Sequence, residues 1–322
     1  MSFLKKINTK ATTELNTGFG INSSDYGGRF INKDGNPNIK KKGVGFLESI
    51  SWFHTMLQLS NVKFFTIVFL FYALVNVLFA CIYCLIGVEH LGGLNAVTNI
   101  DKFEEAYFFS AQTFTTVGYG RINPIGFITS TVAAIEALLG LLSFALATGL
   151  LYGRFSKPKA YLRFSQNVLL TPFKDGLALM FRVASYKNNH LTDAEAKVSA
   201  GIMMEENGKM VNKFYQMELE YSRVNALTLS WTIVHPINEK SPFYTFTLDD
   251  YKSTHWELLI FLKAFDDMFS NSVLAKTSYT NNELIQGAKF LPMYYKNENN
   301  STTIIDLEKL NEYNTVDIST IK

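Results

Sequence analysis

The chain has 322 residues, of which 48% are hydrophobic and 18% charged, and its formal net charge is +2. This length is sufficient for two domains, and a slightly positive mean hydropathy is unusual for a purely soluble protein. The small net charge and the lack of a basic stripe argue against nucleic acid as a partner. The composition therefore favours a membrane part joined to a soluble part.

Residues 1–45 contain no apolar run and are predicted to form an N-terminal cytoplasmic segment without a cleaved signal peptide. Residues 46–60 differ, because Phe46, Ile50, Phe53 and Leu57 recur at helical spacing with polar residues opposite. This pattern predicts a helix lying in the membrane interface. A helix packed on the soluble domain is the alternative.

Two segments, about 64–87 and 126–152, reach the roughly 20 apolar residues that a membrane-spanning helix needs. Lys and Arg residues precede the first segment and follow the second, whereas the loop between them carries acidic residues. By the positive-inside rule, both termini are predicted to be cytoplasmic. These observations define a predicted transmembrane domain at 61–157.

Between the spans, residues 103–114 form a predicted helix too short to cross a bilayer, with Glu104 and Glu105 in its first turn. The sequence T-T-V-G-Y-G-R follows at 115–121. Irregular backbone at membrane depth requires partners for its carbonyl groups, and a dehydrated cation is such a partner. Gly118 and Gly120 permit backbone angles that turn successive carbonyls the same way, so four such loops would form a selectivity filter.

In residues 158–322 the spacing of apolar residues changes, so that apolar and polar side chains alternate with a period of two. N-A-L-T-L-S-W-T-I-V (225–234) and G-L-A-L-M-F-R-V-A (176–184) each predict one strand, and Asp175-Gly176 and Asn207-Gly208 are predicted turns. The pattern indicates an antiparallel β-sandwich.

The T-V-G-Y-G stretch is the potassium-channel filter signature. Four further stretches are similar to motifs of the inward-rectifier potassium channels, especially the prokaryotic branch: G-G-R-F-I-N-K-D-G-N-P-N-I (27–39), R-F-S-K-P-K-A (154–160), M-F-R-V-A-S-Y-K-N-N-H-L-T-D-A-E-A-K-V (180–198) and L-S-W-T-I-V-H-P-I-N-E-K-S-P-F-Y (229–244). The resemblance covers roughly residues 27–295. It implies a homotetramer with a two-span pore domain, a re-entrant helix and a cytoplasmic immunoglobulin-like β-sandwich. Such a protein conducts K⁺ passively and needs neither a catalytic residue nor a cofactor besides the K⁺ ions in its filter.

The resemblance also implies which residues act near the filter. The ion sites are lined by Thr116, Val117, Gly118, Tyr119 and Gly120. Supporting residues are Gln112, Thr115, Arg121 and Glu136. Relatives often carry Glu where Gln112 stands, paired with a basic residue, and that acid is absent here. Glu136 is the one carboxylate inside a span, where a charge is expensive and usually functional; a protonated acid bonded to the re-entrant helix is the alternative.

Along the second span, the resemblance implies a pore-lining face and gate at Phe144, Thr148 and Tyr152, with Gly140 and Gly149 as hinges. Strong rectifiers place Asp where Phe144 stands, so block by Mg²⁺ or polyamines at this site is predicted to be weak. For Tyr152, an interfacial tyrosine is the alternative. For the glycines, close helix packing is the alternative.

Basic residues flank the predicted spans, and they are candidates for binding anionic lipids: His54, Lys63, Arg154, Lys157 and Lys159. Ordinary positive-inside charge explains them equally simply.

In the soluble domain, the resemblance implies a cation-concentrating ring in a cytoplasmic pore. Its candidate residues are Asp267, Met268, Phe269, Ser270, Asn271 and Ser272. A solvated surface loop is the alternative. Because the chain lacks extracellular-loop cysteines, a bacterial inner membrane is the expected location.

Two other functions are alternatives to an inward rectifier. The conducting subunit of a ligand-regulated uptake system would need a nucleotide-binding glycine fingerprint, which the sequence lacks. A membrane-anchored β-sandwich receptor or enzyme would need a catalytic or ligand motif, and the sequence contains no triad, metal cluster or phosphate loop.

Overall fold

The structure is a computed structural model that describes residues 7–8, 10–14, 16, 18–19, 28–45, 51–206 and 209–318. The chain divides into two compact units. One unit is Lys42–Lys157, and the other comprises Met1–Lys41 together with Pro158–Lys322. The predicted turn at Asn207-Gly208 and the first part of the predicted interfacial helix, residues 46–50, lie outside the described residues.

The first unit is helical. Its helices are α1 (Trp52–Gln58), α2 (Asn61–Ile86), α3 (Asn99–Phe114) and α4 (Phe127–Phe155). Among the described residues, α2 and α4, with 26 and 29 residues, are long and apolar enough to cross a membrane. Two short strands, β1 (Leu91–Gly92) and β2 (Asn123–Pro124), pair on either side of α3.

Local capping explains where these helices begin and end. Ser60 accepts a hydrogen bond from the Lys63 backbone at the start of α2, and Gly87, with φ of 113°, ends that helix. At the start of α3, Thr98 and Asp101 form a reciprocal capping box. The predicted start of α3 at residue 103 is therefore four residues too late, and the acidic residue of its first turn is Asp101.

A small apolar cluster holds the three longest helices of this unit together: Phe79, Ala80, Tyr83, Leu91, Ala106, Phe109, Ile122 and Ala133. Most other apolar side chains of α2 and α4 are exposed in a single chain. Such surfaces suit contact with lipid or with further subunits.

The second unit is built on two antiparallel-rich sheets. Its main strands are β3 (Leu162–Phe164), β4 (Val168–Phe173), β5 (Gly176–Ser185), β6 (Leu191–Glu206), β7 (Lys209–Gln216), β8 (Arg223–Ala226), β9 (Ser230–Pro236), β10 (Trp256–Asp266), β11 (Asn271–Thr280) and β12 (Leu284–Gln286). One sheet has the order β11-β10-β6-β7 with β8 on β6, and the other has the order β12-β4-β5-β3 with β9 on β5. A short helix, α5 (Leu248–Ser253), precedes β10. Two small strand pairs, β13 (Ala288–Phe290) with β16 (Tyr313–Thr315) and β14 (Tyr294–Lys296) with β15 (Thr303–Ile305), complete the unit.

The core lies between the two sheets and includes Leu179, Phe181, Ile202, Trp231 and Trp256. The predicted single strand at 225–234 is wrong. The chain leaves one sheet after Ala226, turns through the loop carrying the partly exposed Leu229, and enters the other sheet at Ser230. A change of sheet preserves the alternation of apolar residues, so periodicity alone does not reveal it.

Candidate ion-conduction site

The segment after α3 has an alternating backbone. Thr116, Gly118 and Gly120 all have positive φ, at 58°, 53° and 84°, while Val117 and Tyr119 between them do not. Alternation in the sign of φ turns successive carbonyl groups toward the same side of the chain. Thr116 is a β-branched residue in a conformation that favours glycine, which marks this segment as functionally constrained.

Backbone hydrogen bonds fix residues 116–120 only at the end that directly follows α3. The Thr116 N–H donates to the Thr113 carbonyl at 3.1 Å, and the Val117 N–H donates to the Gln112 carbonyl at 2.9 Å. Thr115 closes the helix by donating its hydroxyl to the Ala111 carbonyl. Within the described part of the chain, no donor reaches the carbonyls of residues 116–120, so these oxygens are free to bind a cation.

Glu136 lies on α4 and is fully buried. Its Oε2 accepts a hydrogen bond from the Tyr83 hydroxyl of α2 at 2.6 Å, and its Oε1 contacts the Ser110 hydroxyl of α3. Ser110 also lies 3.0 Å from Asn76 Oδ1, and Asn76 donates to the Tyr72 carbonyl at 2.7 Å. This polar cluster joins α2, α3 and α4, and the predicted Glu136 is its centre.

Asn76, Tyr83 and Ser110 were not predicted from the sequence. Each is a common residue in an apolar helix, and only the folded chain shows that Tyr83 and Ser110 bond the Glu136 carboxylate and that Asn76 bonds Ser110. An isolated polar side chain inside a span is the signal that would have identified Asn76.

Arg121 does form an ion pair, although position 112 holds glutamine and not the acid that relatives often carry. Its guanidinium contacts Glu105 at 2.5 Å. The side chain of Gln112, in contrast, forms no hydrogen bond within the described residues. Glu105 was predicted only as a charge near the helix start, because its proximity to Arg121 depends on how the loop folds back over α3.

Phe144, Thr148 and Tyr152 follow one another at four-residue spacing on α4, and all three are exposed in the single chain. They therefore share one face of the helix. The two predicted hinge glycines differ. A Cβ on Gly140 would overlap the Phe114 carbonyl oxygen, whereas no atom of the described residues lies within 4 Å of a Cβ on Gly149. Close packing accounts for Gly140, and α4 continues unbroken through both residues.

The predicted lipid-binding residues fall into two groups. Arg154 donates to the Met56 and Leu59 carbonyls and to Asn61 Oδ1 at 2.6 to 2.8 Å, and its guanidinium lies over the Phe64 ring. His54 contacts Gln58 within α1. The remaining three are exposed: Lys63, Lys157 and Lys159.

The second unit, which carries the two sheets, is called the β-domain below. Its predicted cytoplasmic-pore residues form the turn between β10 and β11. Asp267 is exposed and accepts a hydrogen bond from Thr192, and Met268 is also exposed. Its neighbour Asp266 is buried, and one of its oxygens accepts the N–H groups of Met268 and Phe269. Asp266 thus shapes the turn. Phe269, Ser270, Asn271 and Ser272 complete it.

Comparison with known proteins extends these observations. The family model of the inward rectifier potassium channel C-terminal domain matches residues 162–322, and an ion channel family model matches residues 67–157. The chain is 32% identical over 273 residues to the inward rectifier potassium channel Kirbac3.1 of Paramagnetospirillum magnetotacticum, covering 83% of this chain and 89% of that protein.

Two eukaryotic relatives are 26% identical. For the inward rectifier potassium channel irk-1 of Caenorhabditis elegans, the alignment covers 87% of this chain and 56% of that protein. For the G protein-activated inward rectifier potassium channel 4 of Mus musculus, the shares are 77% and 61%. Among solved structures, Spo0M of Bacillus subtilis is 8% identical with a TM-score of 0.21, covering 36% of this chain and 47% of that one, a likeness too slight to bear on the fold.

The identity to Kirbac3.1 extends over most of both proteins, and the two matched regions fall on the helical unit and on the β-domain. The predicted fold class, a two-span pore domain followed by a cytoplasmic β-sandwich, is confirmed. So is the prediction of a channel in place of an enzyme. The chain belongs to the inward rectifier potassium channel family and is a membrane potassium channel.

Proposed function

We propose that four copies of this chain surround one axis and that residues 116–120 of each copy form the K⁺ filter. The carbonyl oxygens of Thr116, Val117, Gly118 and Tyr119, with the Thr116 hydroxyl, replace the water shell of the ion. The observation that carries this proposal is the alternation of positive φ at Thr116, Gly118 and Gly120, combined with carbonyls that no donor of the described residues reaches.

Tetramerisation supplies what a single chain lacks. An irregular segment at membrane depth is tolerated only when it is buried in protein or lines a wet cavity. In one chain Tyr119 is 80% exposed and Val117 is 52% exposed. Three further copies enclose these side chains and leave the carbonyls and the Thr116 hydroxyl to face the axis.

The gate of this pore is the face of α4 that carries Phe144, Thr148 and Tyr152. A ring of four Tyr152 side chains closes the pore by excluding water. Gly149, which has free space around it, is the hinge. Phe144 offers no charge, so Mg²⁺ and polyamines block this site weakly.

The chain lies in a bacterial inner membrane with both termini cytoplasmic. Residues 46–60 lie in the interface, 61–157 cross the membrane, and 1–45 and 158–322 form the cytoplasmic part.

Anionic lipids modulate the channel through Lys63, Lys157 and Lys159, with His54 and Arg154 nearby in sequence. In the cytoplasmic pore, Asp267 and the turn after it concentrate cations.

Rubidium flux into liposomes containing the purified full chain tests the proposed function. Wild-type protein is expected to take up rubidium with little uptake of sodium, and barium is expected to block the flux. A Gly118→Ala variant is expected to lose the flux, because φ of 53° is unfavourable for alanine.

Gly28→Ala is the matched control. Gly28 also has a positive φ, at 78°, and no atom of the described residues lies within 4 Å of a Cβ built there, but it lies outside the filter. It is expected to conduct like wild type. Flux that fails to distinguish potassium from sodium, or a fully active Gly118→Ala variant, would contradict the assignment of the filter.

A further inference from the structure

An ion pair stands at the outer end of the filter segment. Arg121 directly follows Gly120, and its Nη2 lies 2.5 Å from Oε2 of Glu105 on α3. Its Nη1 donates to the Gly93 carbonyl at 3.3 Å. The Glu105 side chain is only 19% exposed, and that of Arg121 is 52% exposed. The guanidinium therefore joins the end of the filter to α3 and to the loop before it.

The backbone around Arg121 is closely packed. Gly93 has φ of 78°, and a Cβ there would overlap the Arg121 carbonyl oxygen. The next residues pair with the same loop, Gly92 with Asn123 and Leu91 with Pro124. The segment that leaves the filter is thus held from Ile122 onward, and Arg121 is the last side chain before that region.

Between the two ends, the filter has few other restraints. The backbone bonds of Thr116 and Val117 fix its inner end, and Gln112 contributes no side-chain hydrogen bond within the described residues. The Arg121 pair is consequently the first side-chain restraint that the chain meets after the row of free carbonyls.

We propose that Glu105 is a positioning residue for ion conduction. Its carboxylate holds the Arg121 guanidinium against α3, which fixes Gly120 and neutralises a positive charge at the mouth of the pore. This proposal rests on the proposed function, because the mouth exists only where four chains surround the filter. Loss of Glu105 would leave four unpaired guanidinium groups, whose field opposes the entry of K⁺.

The test compares E105Q, R121Q and the double variant E105Q/R121Q in the same rubidium-flux assay at low and high ionic strength. E105Q is expected to lower flux by about threefold or more at low salt, and the loss should shrink at high salt because exposed charges are screened. The double variant should recover flux at low salt, since the unpaired charge is gone. It should also admit more sodium than wild type, since the restraint on Gly120 is gone too.

Glu104 provides the matched control, because it is the neighbouring carboxylate, is exposed and has no ion pair within the described residues. E104Q is expected to resemble wild type at every salt concentration. If E105Q is indistinguishable from E104Q in flux, selectivity and salt dependence, the proposal is overturned, whereas a wild-type chain without rubidium flux would instead overturn the proposed function.

If E105Q does not assemble, the exchanged pair E105R/R121E decides the question. Recovery of selective flux by the exchange supports the ion pair. Assembled protein that conducts without discriminating potassium from sodium contradicts it.

Discussion

His235 is a buried histidine of the β-domain whose two ring nitrogens are both engaged. Its Nδ1 lies 2.6 Å from the Glu218 carbonyl, and its Nε2 lies 2.8 Å from the Ser241 hydroxyl. A carbonyl only accepts hydrogen bonds, so Nδ1 carries the proton and Nε2 accepts from Ser241. The site is therefore made for a neutral ring, and burial lowers the pKa of His235 to about 4.

The stability of the β-domain should consequently fall in mild acid. The folded pKa of His235 lies below that of the unfolded chain, about 6.5, so the unfolded state binds the proton first. Stability is complete above about pH 6.5 and decreases toward pH 4, with a loss of about 2 kcal/mol by pH 5. Thermal unfolding of the full chain, followed by the emission of the buried Trp231 and Trp256, measures this loss.

A His235→Asn variant is the comparison for that measurement. It is expected to be less stable at neutral pH but to lose roughly 4 to 8 °C less than wild type between about pH 7.5 and pH 5. Equal losses in the two proteins would show that other groups cause the acid sensitivity.

The backbone of residues 116–120 was predictable from the sequence, whereas the contacts of the neighbouring residues were not. Gly118 and Gly120 adopt the positive φ angles that glycine was predicted to permit there. Glu105 and Arg121 are 16 residues apart, and their contact depends on the loop at Gly93. The cluster around Glu136 likewise draws one residue or more from each of three helices. Contacts between elements have no short sequence pattern, so the sequence predicted Glu136 and Arg121 but not their partners.

At the scale of elements, Arg154 joins the end of α4 to the corner between α1 and α2. The last carbonyls of α1 have no partner within that helix, and the Arg154 guanidinium donates to the Met56 and Leu59 carbonyls. Leu57 also approaches Gly153, where a Cβ would lie 3.1 Å from its methyl group. Arg154 thus caps α1 from another helix, a role distinct from attraction of lipid.

Substitution of Arg154 by lysine separates these two roles. Lysine keeps the positive charge but lacks the planar fork that bonds several acceptors at once. If capping dominates, Arg154→Lys and Arg154→Gln should both speed amide exchange in α1, by about tenfold for each kcal/mol or so that is lost. Hydrogen exchange of the full chain in lipid measures this effect.

Lys157→Gln is the control for charge, because Lys157 is exposed near the same helix end. It should change the response of rubidium flux to anionic lipid without changing exchange in α1. An Arg154→Lys variant with wild-type exchange would show that only the charge of Arg154 matters.

The sequence predicted which segments form helices more reliably than it predicted where those helices begin and end. The two spans follow from apolar length, since a bilayer imposes a minimum. The start of α3 depends on the Thr98 and Asp101 capping box, whose two residues look unremarkable beside the acidic pair that follows. In the β-domain, the period of two identified β5 correctly as one strand but missed the change of sheet between β8 and β9.

At the scale of the whole molecule, the compact β-domain unit is formed by parts of the chain far apart in sequence. Residues before Lys42 belong to it, although the helical unit separates them from Pro158. Glu257 of β10 binds the N-terminal segment to the sheet. Its buried carboxylate accepts hydrogen bonds from the N–H groups of Phe30 at 2.7 Å and Ile31 at 3.1 Å. Burial raises the pKa of Glu257, an effect that these two bonds oppose.

Charged residues reinforce the same attachment. Arg29 forms an ion pair with Glu283 at 2.8 Å and donates to the Ser278 hydroxyl at the same distance. Lys33 lies over the Tyr279 ring, and burial lowers the pKa of Lys33 to about 8. The segment that carries Arg29 and Lys33 is thus anchored to the strands β10 and β11 of the same unit.

Removal of the central carboxylate should release this segment. In Glu257→Ala the N–H groups of Phe30 and Ile31 lose their acceptor in a buried position, a cost of about 1 to 3 kcal/mol for each group. Trypsin should then cut the full chain after Arg29 or Lys33 at least tenfold faster, because both sites are otherwise held in place.

Glu195→Ala, which removes an exposed carboxylate paired with Lys197, should leave the cleavage rate unchanged. Equal protection in both variants would mean that the ion pair of Arg29 with Glu283 is sufficient to hold the segment, and combining Glu257→Ala with Glu283→Ala would then be required to free it.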